Sequence, residues 1–357
     1  MCSAISQAAE VPVYIGSGAD TGISQGVLDT ETGELKGVKL AVATSKPASL
    51  AYSGDKRTIY AIGRNEEEHG FVASFTVKND GSLEMLGKQS SMGAGPCHVS
   101  VDKTSNALFI ANYRGGSIAS YQIGDKVSAK GKLSEAVSFF QHEGKSVNEK
   151  RQKGPHAHSI YSSPDNKFVY AADLGTDKVE IYKLDAETAK LTSAGSASVP
   201  AGSGARHMVF SEDGAKLYVL NELTLTISRF ARDASSGGLT LEKTVPVVSE
   251  FAEKMTCSEI QLSSDGKYLY AATRDLKGDK RDVISVLSTE DMSIVQEQPA
   301  GVWIPRHFGI SPSGKWFLIA GQKSNQVVIH ARDPETGKLT QTAHSAEVKQ
   351  PMWILFK

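Results

Sequence analysis

At 357 residues, 40 % hydrophobic and 22 % charged, the chain has an ordinary globular composition, and its length suits a repeat or large all-β fold as one unit. Lys and Arg number 39 against 40 Asp and Glu, which excludes a global field for nucleic acid or anionic membrane. No run approaches the roughly 18 apolar residues of a spanning helix, and Cys2, Cys97 and Cys257 are too scattered for a disulfide framework or zinc cluster. Such cysteine usage fits a reducing compartment, so a cytoplasmic location is expected.

Residues 1–10 show no basic segment followed by an apolar one, and read as a disordered extension before a single folded unit over 11–357. Cys2 behind the initiator reads as coincidence, with a trimmed lipoprotein start as the alternative. Three short alternating segments follow, VPVYIGS (11–17), ISQGVLD (23–29) and LKGVKLAVA (35–43).

From Lys46 a phrase recurs: a small residue or Pro, a polar pair, alternating apolar residues, a Ser/Asp/Gly turn and an aromatic-rich strand. It reads KPASLAYSGDKRTIYAIGR, then GPCHVSVDKTSNALFIANY from Gly95 and HAHSIYSSPDNKFVYAADL from His156. GARHMVFSEDGAKLYVLNE from Gly204, TCSEIQLSSDGKYLYAATR from Thr256 and IPRHFGISPSGKWFLIAGQ from Ile304 complete the set. The anchors Pro47, Pro96, Ala157, Ala205, Cys257 and Pro305 are separated by 49, 61, 48, 52 and 48 residues, the size of one four-stranded propeller blade. Each phrase is an inner hairpin, and two outer strands follow it, as in VEIYKL (179–184) and LTSAGSASV after Lys190. Pro351 to Phe356 begins a further inner strand without its hairpin. The segments over 11–43 supply the missing three strands. This predicts an all-β, seven-bladed propeller whose ring is closed by pairing N- and C-terminal strands in one blade, leaving no open sheet edge.

In such a ring the starts of the first strands and the ends of the second share one rim of the central channel. The starts carry Cys97-His98, His158-Ser159, Arg206-His207, Ser258-Glu259 and Arg306-His307; the ends carry Gly63-Arg64, Asn112-Tyr113, Asp173-Leu174, Asn221-Glu222, Thr273-Arg274 and Gly321-Gln322. Any one of these residues can be explained as a strand cap on a wet surface. Their convergence predicts a site. Arg offers a planar fork to carboxylate or phosphate, Arg or His⁺ can stabilise an oxyanion, and Glu or neutral His can take a proton from water. The set suits hydrolysis of an anionic ester or lactone. The pair His156 and His158 lacks a second cluster of ligand spacing, so no metal or other cofactor is expected, and no Gly-x-Ser-x-Gly elbow is present. The lengthened spacing before the third phrase is assigned to an insertion, FFQHEGKSVNEKRQK (139–153), which is a solvated loop or a flap bringing Arg151 or Lys153 over the mouth.

With HEGKSVNEKRQKGPHAHS (142–159), ADLGTDKVEIYKLD (172–185), GSGARHMVFSEDGAKLYVLNE (202–222) and PRHFGISPSGKW (305–316), the chain resembles the seven-bladed lactonase family. That family includes propeller-type 6-phosphogluconolactonases and fungal carboxy-cis,cis-muconate cyclases. The resemblance implies His158, Arg206, Glu222 and Arg274 as catalytic candidates, with Glu222 as general base or acid and the two arginines on substrate anion and oxyanion. It implies His156, Arg151, Gln152, His207, Asn221, Arg306 and His307 around the same mouth, where the rim also places Glu259. The expected partner is a small anionic lactone, most simply 6-phosphoglucono-δ-lactone, for a monomer or weak homo-oligomer. A lactone-forming cyclase and a non-catalytic binding platform are the alternatives. Family members often show Asn-Glu where this chain has Gly63-Arg64, and Asn where it has Thr273, so the substrate is expected to depend on these departures.

Overall fold

The computed structural model describes residues 10–64, 69–124 and 130–357. Of the extension expected over 1–10, residues 1–9, with Cys2, lie outside the described residues, and Glu10 already belongs to the strand Glu10–Ser17. Seven sheets of four antiparallel strands form the molecule. Following the repeats, blade 1 spans 50–90, blade 2 96–141, blade 3 157–198, blade 4 205–246, blade 5 255–299 and blade 6 305–347. Blade 7 joins the strand Pro351–Phe356 to Glu10–Ser17, Ile23–Asp29 and Leu35–Val42. No helix among the described residues is long and apolar enough to cross a membrane.

Four of the inner hairpins turn through one repeated device. Ser53, Ser163, Ser211 and Ser263 donate to an aspartate two residues on and accept from the backbone N–H that opens the second strand, at 2.9–3.0 Å. The turn needs one left-handed residue, which is Gly214, Gly266 and Gly314 in blades 4 to 6 but Lys56, Ser105 and Asn166 in blades 1 to 3.

The sheets bury both faces against their neighbours, so the core is divided into seven clusters, one at each blade-to-blade contact. Tyr60, Ile62 and Val72 of blade 1 meet Val99, Leu108 and Ile110 of blade 2 in one of them. At ~1.5–3 kcal/mol per large apolar side chain, every such cluster outweighs any single polar contact described below. Closure is cored on both sides: Val13, Ile15 and Ile354 pack on blade 6, and Tyr14 with Trp353 and Leu355 on blade 1. The closing register runs Val13↔Phe356 to Gly16↔Trp353. A Cβ on Gly16 would lie 2.3 Å from the Pro47 carbonyl oxygen, so only glycine lets blades 7 and 1 approach there.

One irregularity shapes the mouth. In blades 2, 3, 4 and 6 the register of the inner hairpin slips at the second residue of the first strand, leaving Cys97, His158, Arg206 and Arg306 unpaired. In blade 7 the same slip falls at Met352, and in blade 5 it falls around Ser258 and Glu259. A bulge breaks the alternation of faces and re-aims the extra side chain. Consecutive residues such as Arg206 and His207 therefore both face the channel.

Candidate functional site

Two adjoining cavities open where the bulges converge. The outer has a free volume of about 360 Å³ and is lined by Arg64, Arg114, Arg151, Arg274 and Arg306, with Glu222 its one carboxylate. Tyr113, His158, Cys97, Thr256 and Leu276 complete its wall. The inner cavity lies deeper and is lined by the bulged Cys97, His158, Arg206, Arg306 and Met352, together with Ala48, Arg64, His207 and Trp353.

Glu222 is the hub. It directly follows the second strand of blade 4, Lys216–Asn221, and its N–H donates to the Gly204 carbonyl at 2.8 Å. Arg151 Nη2 donates to Oε1 at 2.7 Å, while Arg206 Nε and Arg274 Nη2 reach Oε2 at 2.9 and 3.1 Å. His158 Nε2 stands 3.9 Å from the same oxygen, beyond hydrogen-bond length. Burial alone would push the Glu222 carboxyl up, but Arg274, Arg206, His158 and Arg151 outweigh it and hold it well below the usual range. His158 is held well below its ordinary value by burial and then by Arg206, with Glu222 opposing, so its ring is neutral at physiological pH.

Below this lies a second polar group. Glu259 Oε2 is 3.0 Å from His207 Nδ1 and 3.4 Å from His307 Nε2. These are not ion pairs. Burial pushes the Glu259 carboxyl up to about 8, and the same burial holds both rings well below 6.5, so the His207 contact is a neutral hydrogen bond and His307 a close neutral neighbour. His307 packs on Trp353 with ring centroids 4.0 Å apart.

The loop before blade 3 carries Arg151. Phe139 to Gln141, counted in sequence as part of the insertion, instead end the outer strand Leu133–Gln141. Two buried aspartates hold what remains. Asp173 accepts from the His156 and Gly175 amides and contacts His142 Nδ1 at 2.7 Å. Asp177 accepts from Gln152 Nε2 and Ser146 Oγ on the loop at 2.7 and 2.5 Å, and from the Gly204 and Gly202 amides at 2.5 and 2.6 Å. One carboxylate thus ties the Arg151 loop to the segment that leads into Arg206 and holds the Glu222 amide.

Of the sequence candidates, His158, Arg151, Glu222, Arg274 and Arg306 line the outer cavity, and Arg206 and His207 the inner. Five others take different places. Gln152 is fully buried, spending Nε2 on Leu174 and Asp177 and Oε1 on the Asn148 amide, so it shapes the loop and meets no cavity. Asn221 points into its blade and donates to Thr226 and Ser228. His156 stacks on Tyr113, and its Nδ1 lies 2.9 Å from the Tyr113 carbonyl oxygen. Glu259 and His307 sit below both cavities. Lys153 is exposed and outside the lining. Among the described residues no three His, Cys, Asp or Glu converge to hold a metal ion.

Sequence reasoning passed over Arg114 and Trp353. It named Arg64, Cys97 and Tyr113 on the rim without ranking them. The signal for Arg114 was its place directly after the rim pair Asn112-Tyr113, and for Trp353 its place in the inner strand Pro351–Phe356, while alternation alone left open which member of each pair faces the channel. Cys97 lies near the Ala111, Ala157 and His158 carbonyls, and burial pushes its thiol up to about 11, so it is no nucleophile at neutral pH.

Known proteins match the chain over nearly its whole length. The family profile described as "Lactonase, 7-bladed beta-propeller" matches residues 12–356. A 6-phosphogluconolactonase of Bacillus subtilis is 30 % identical over 352 residues, covering 96 % of this chain and 97 % of the relative. One from Formosa agariphila is 30 % identical over 337 residues, 92 % and 94 % of the two chains. Among solved structures, the periplasmic gluconolactonase of Pseudomonas aeruginosa superposes with a TM-score of 0.86 at 28 % identity, covering 98 % of this chain and 99 % of that one.

Proposed function

The chain belongs to the seven-bladed β-propeller lactonase family and is a carboxylic-ester hydrolase, and from that premise we propose that it opens a phosphorylated sugar lactone, 6-phosphoglucono-δ-lactone, to the free acid. The observation that carries this reading is the charge of the outer cavity, five guanidiniums against one carboxylate. Of these five, Glu222 pairs with only Arg151 and Arg274, so a neutral lactone would leave the other guanidiniums of the cavity without an anion, whereas a phosphate dianion engages them bidentately. A phosphorylated substrate also argues for the cytoplasm and the pentose phosphate pathway.

In the reaction, water adds to the lactone carbonyl carbon while its proton passes to a base. Glu222, held by three arginines and well below the carboxylate range, is a weak one. Neutral His158 takes the proton, and Glu222 stabilises the imidazolium that forms beside it. The oxyanion meets Arg206. On collapse, the bond from carbonyl carbon to ring oxygen breaks, and His158 returns the proton to the departing oxygen.

The test measures acid release above the spontaneous rate for the phosphorylated lactone, glucono-δ-lactone and a carboxymuconolactone side by side. The phosphorylated lactone should lead in kcat/KM by ~100-fold, about 2.7 kcal/mol of charge-assisted contact. Equal rates for the neutral lactone would refute the phosphate reading, and preference for the muconolactone would favour the cyclase alternative. His158→Asn should cut kcat by ~10²–10⁴ with little change in KM. An unchanged kcat removes His158 as the base.

A further inference from the structure

The inner cavity has a different character from the outer. Its free volume is about 10 Å³ against about 360 Å³ in the outer, room for a small anion. Around that point stand the guanidiniums of Arg64, Arg206 and Arg306 and the rings of His158 and His207, and no described carboxylate lines it. Arg206 is the telling member. Its side chain is 2 % exposed, its Nε is committed to Glu222, and its Nη1 has no protein partner among the described residues. A buried guanidinium N–H left without an acceptor is costly, so the fold has prepared a donor for something negative.

We propose that the inner cavity is a single-atom anion hole, which takes a halide in the resting protein and the lactone's carbonyl oxygen, as it becomes an alkoxide, during attack. The second half rests on the lactone reading above. Size favours one orientation, because a phosphate with its four oxygens finds its room in the outer cavity of about 360 Å³ and not in the inner one. The carbonyl oxygen is one atom, and it gains its charge only in the transition state, where a preorganised buried donor acts most strongly. The neutral rings of His158 and His207 leave the guanidiniums as the cations of the hole.

Bromide is the probe. Crystals of the wild-type protein soaked in sodium bromide should show an anomalous peak in the inner cavity within hydrogen-bond reach of Arg206 Nη1. In solution, with ionic strength held by a sulfonate too large for the cavity, kcat/KM for the lactone should fall with bromide at the same half-saturating concentration as occupancy. Bromide bound there with kcat/KM unaffected would overturn the alkoxide role, and no peak in the inner cavity would overturn the hole altogether. Occupancy is read without turnover. An occupied hole in a protein that hydrolyses no lactone therefore sinks the functional reading, while an empty one in an active lactonase sinks only this proposal. Arg206→Met should abolish the peak and lower kcat/KM by ~10²–10³, mostly through kcat.

Discussion

Glu259 keeps its proton to about 8 against an ordinary 4.5, because burial outweighs Arg206 and Arg306. The folded chain thus holds a proton that the unfolded chain has released, so this stability is present below pH 4.5 and lost as pH rises towards 8. His98, His158, His207 and His307 act in the opposite sense. Burial first and Arg206 among their neighbours hold all four below 6.5, so their contribution is present above pH 6.5 and lost as pH falls. Thermal stability should therefore peak at pH ~7 and decline to pH 8 by up to about 1.4 kcal/mol per pH unit. Glu259→Gln should flatten that alkaline decline and spare the acid side. Melting curves across the range check it, and an unaltered decline would show that Glu259 is ionised in the fold. The identities of these groups were legible in sequence, since the rim pairs name nearly all of them. Their aim was not. Strict alternation sends Arg206 and His207 to opposite faces, and nothing in the residue pattern marks the bulge that brings both to the channel.

At the scale of elements, the loop before blade 3 is a support as much as a covering. Asp177 and Gln152 hold it from beneath, and Arg151 reaches from it across to Glu222. If Gln152 acts through Arg151, Gln152→Ala should raise KM about tenfold and leave kcat near wild type, and adding it to Arg151→Ala should change nothing further. Additive losses in the double variant would give Gln152 an independent role. The family resemblance placed Gln152 around the mouth together with Arg151. Only the packing, which spends both ends of its amide on the protein, separates the two. The hairpins themselves were readable, because Ser/Asp/Gly turns and two-residue alternation are local signals. The end of the strand Leu133–Gln141 was not, because half-exposed Phe139 and Phe140 sit next to the polar stretch that follows.

For the molecule as a whole, the blade count was written in the spacing of the repeats, and the split blade followed from what the six complete phrases left over. How tightly the ring closes was not readable, because it depends on backbone approach between residues far apart in sequence. Gly16→Ala tests that approach: a methyl meeting the Pro47 carbonyl should cost ~1–3 kcal/mol and lower Tm by several degrees. A variant that melts with wild type would show slack in the closing blade. The strand Pro351–Phe356 has one more consequence. It is the last propeller strand to leave the ribosome, yet Met352 and Trp353 wall the inner cavity, and Glu10–Ser17 waits for it with an unpaired edge throughout synthesis. A nascent chain stalled before Pro351 should display nearly every charged residue of the mouth and hydrolyse nothing. On the proposed function, catalytic competence should thus appear only once translation has passed Pro351–Phe356.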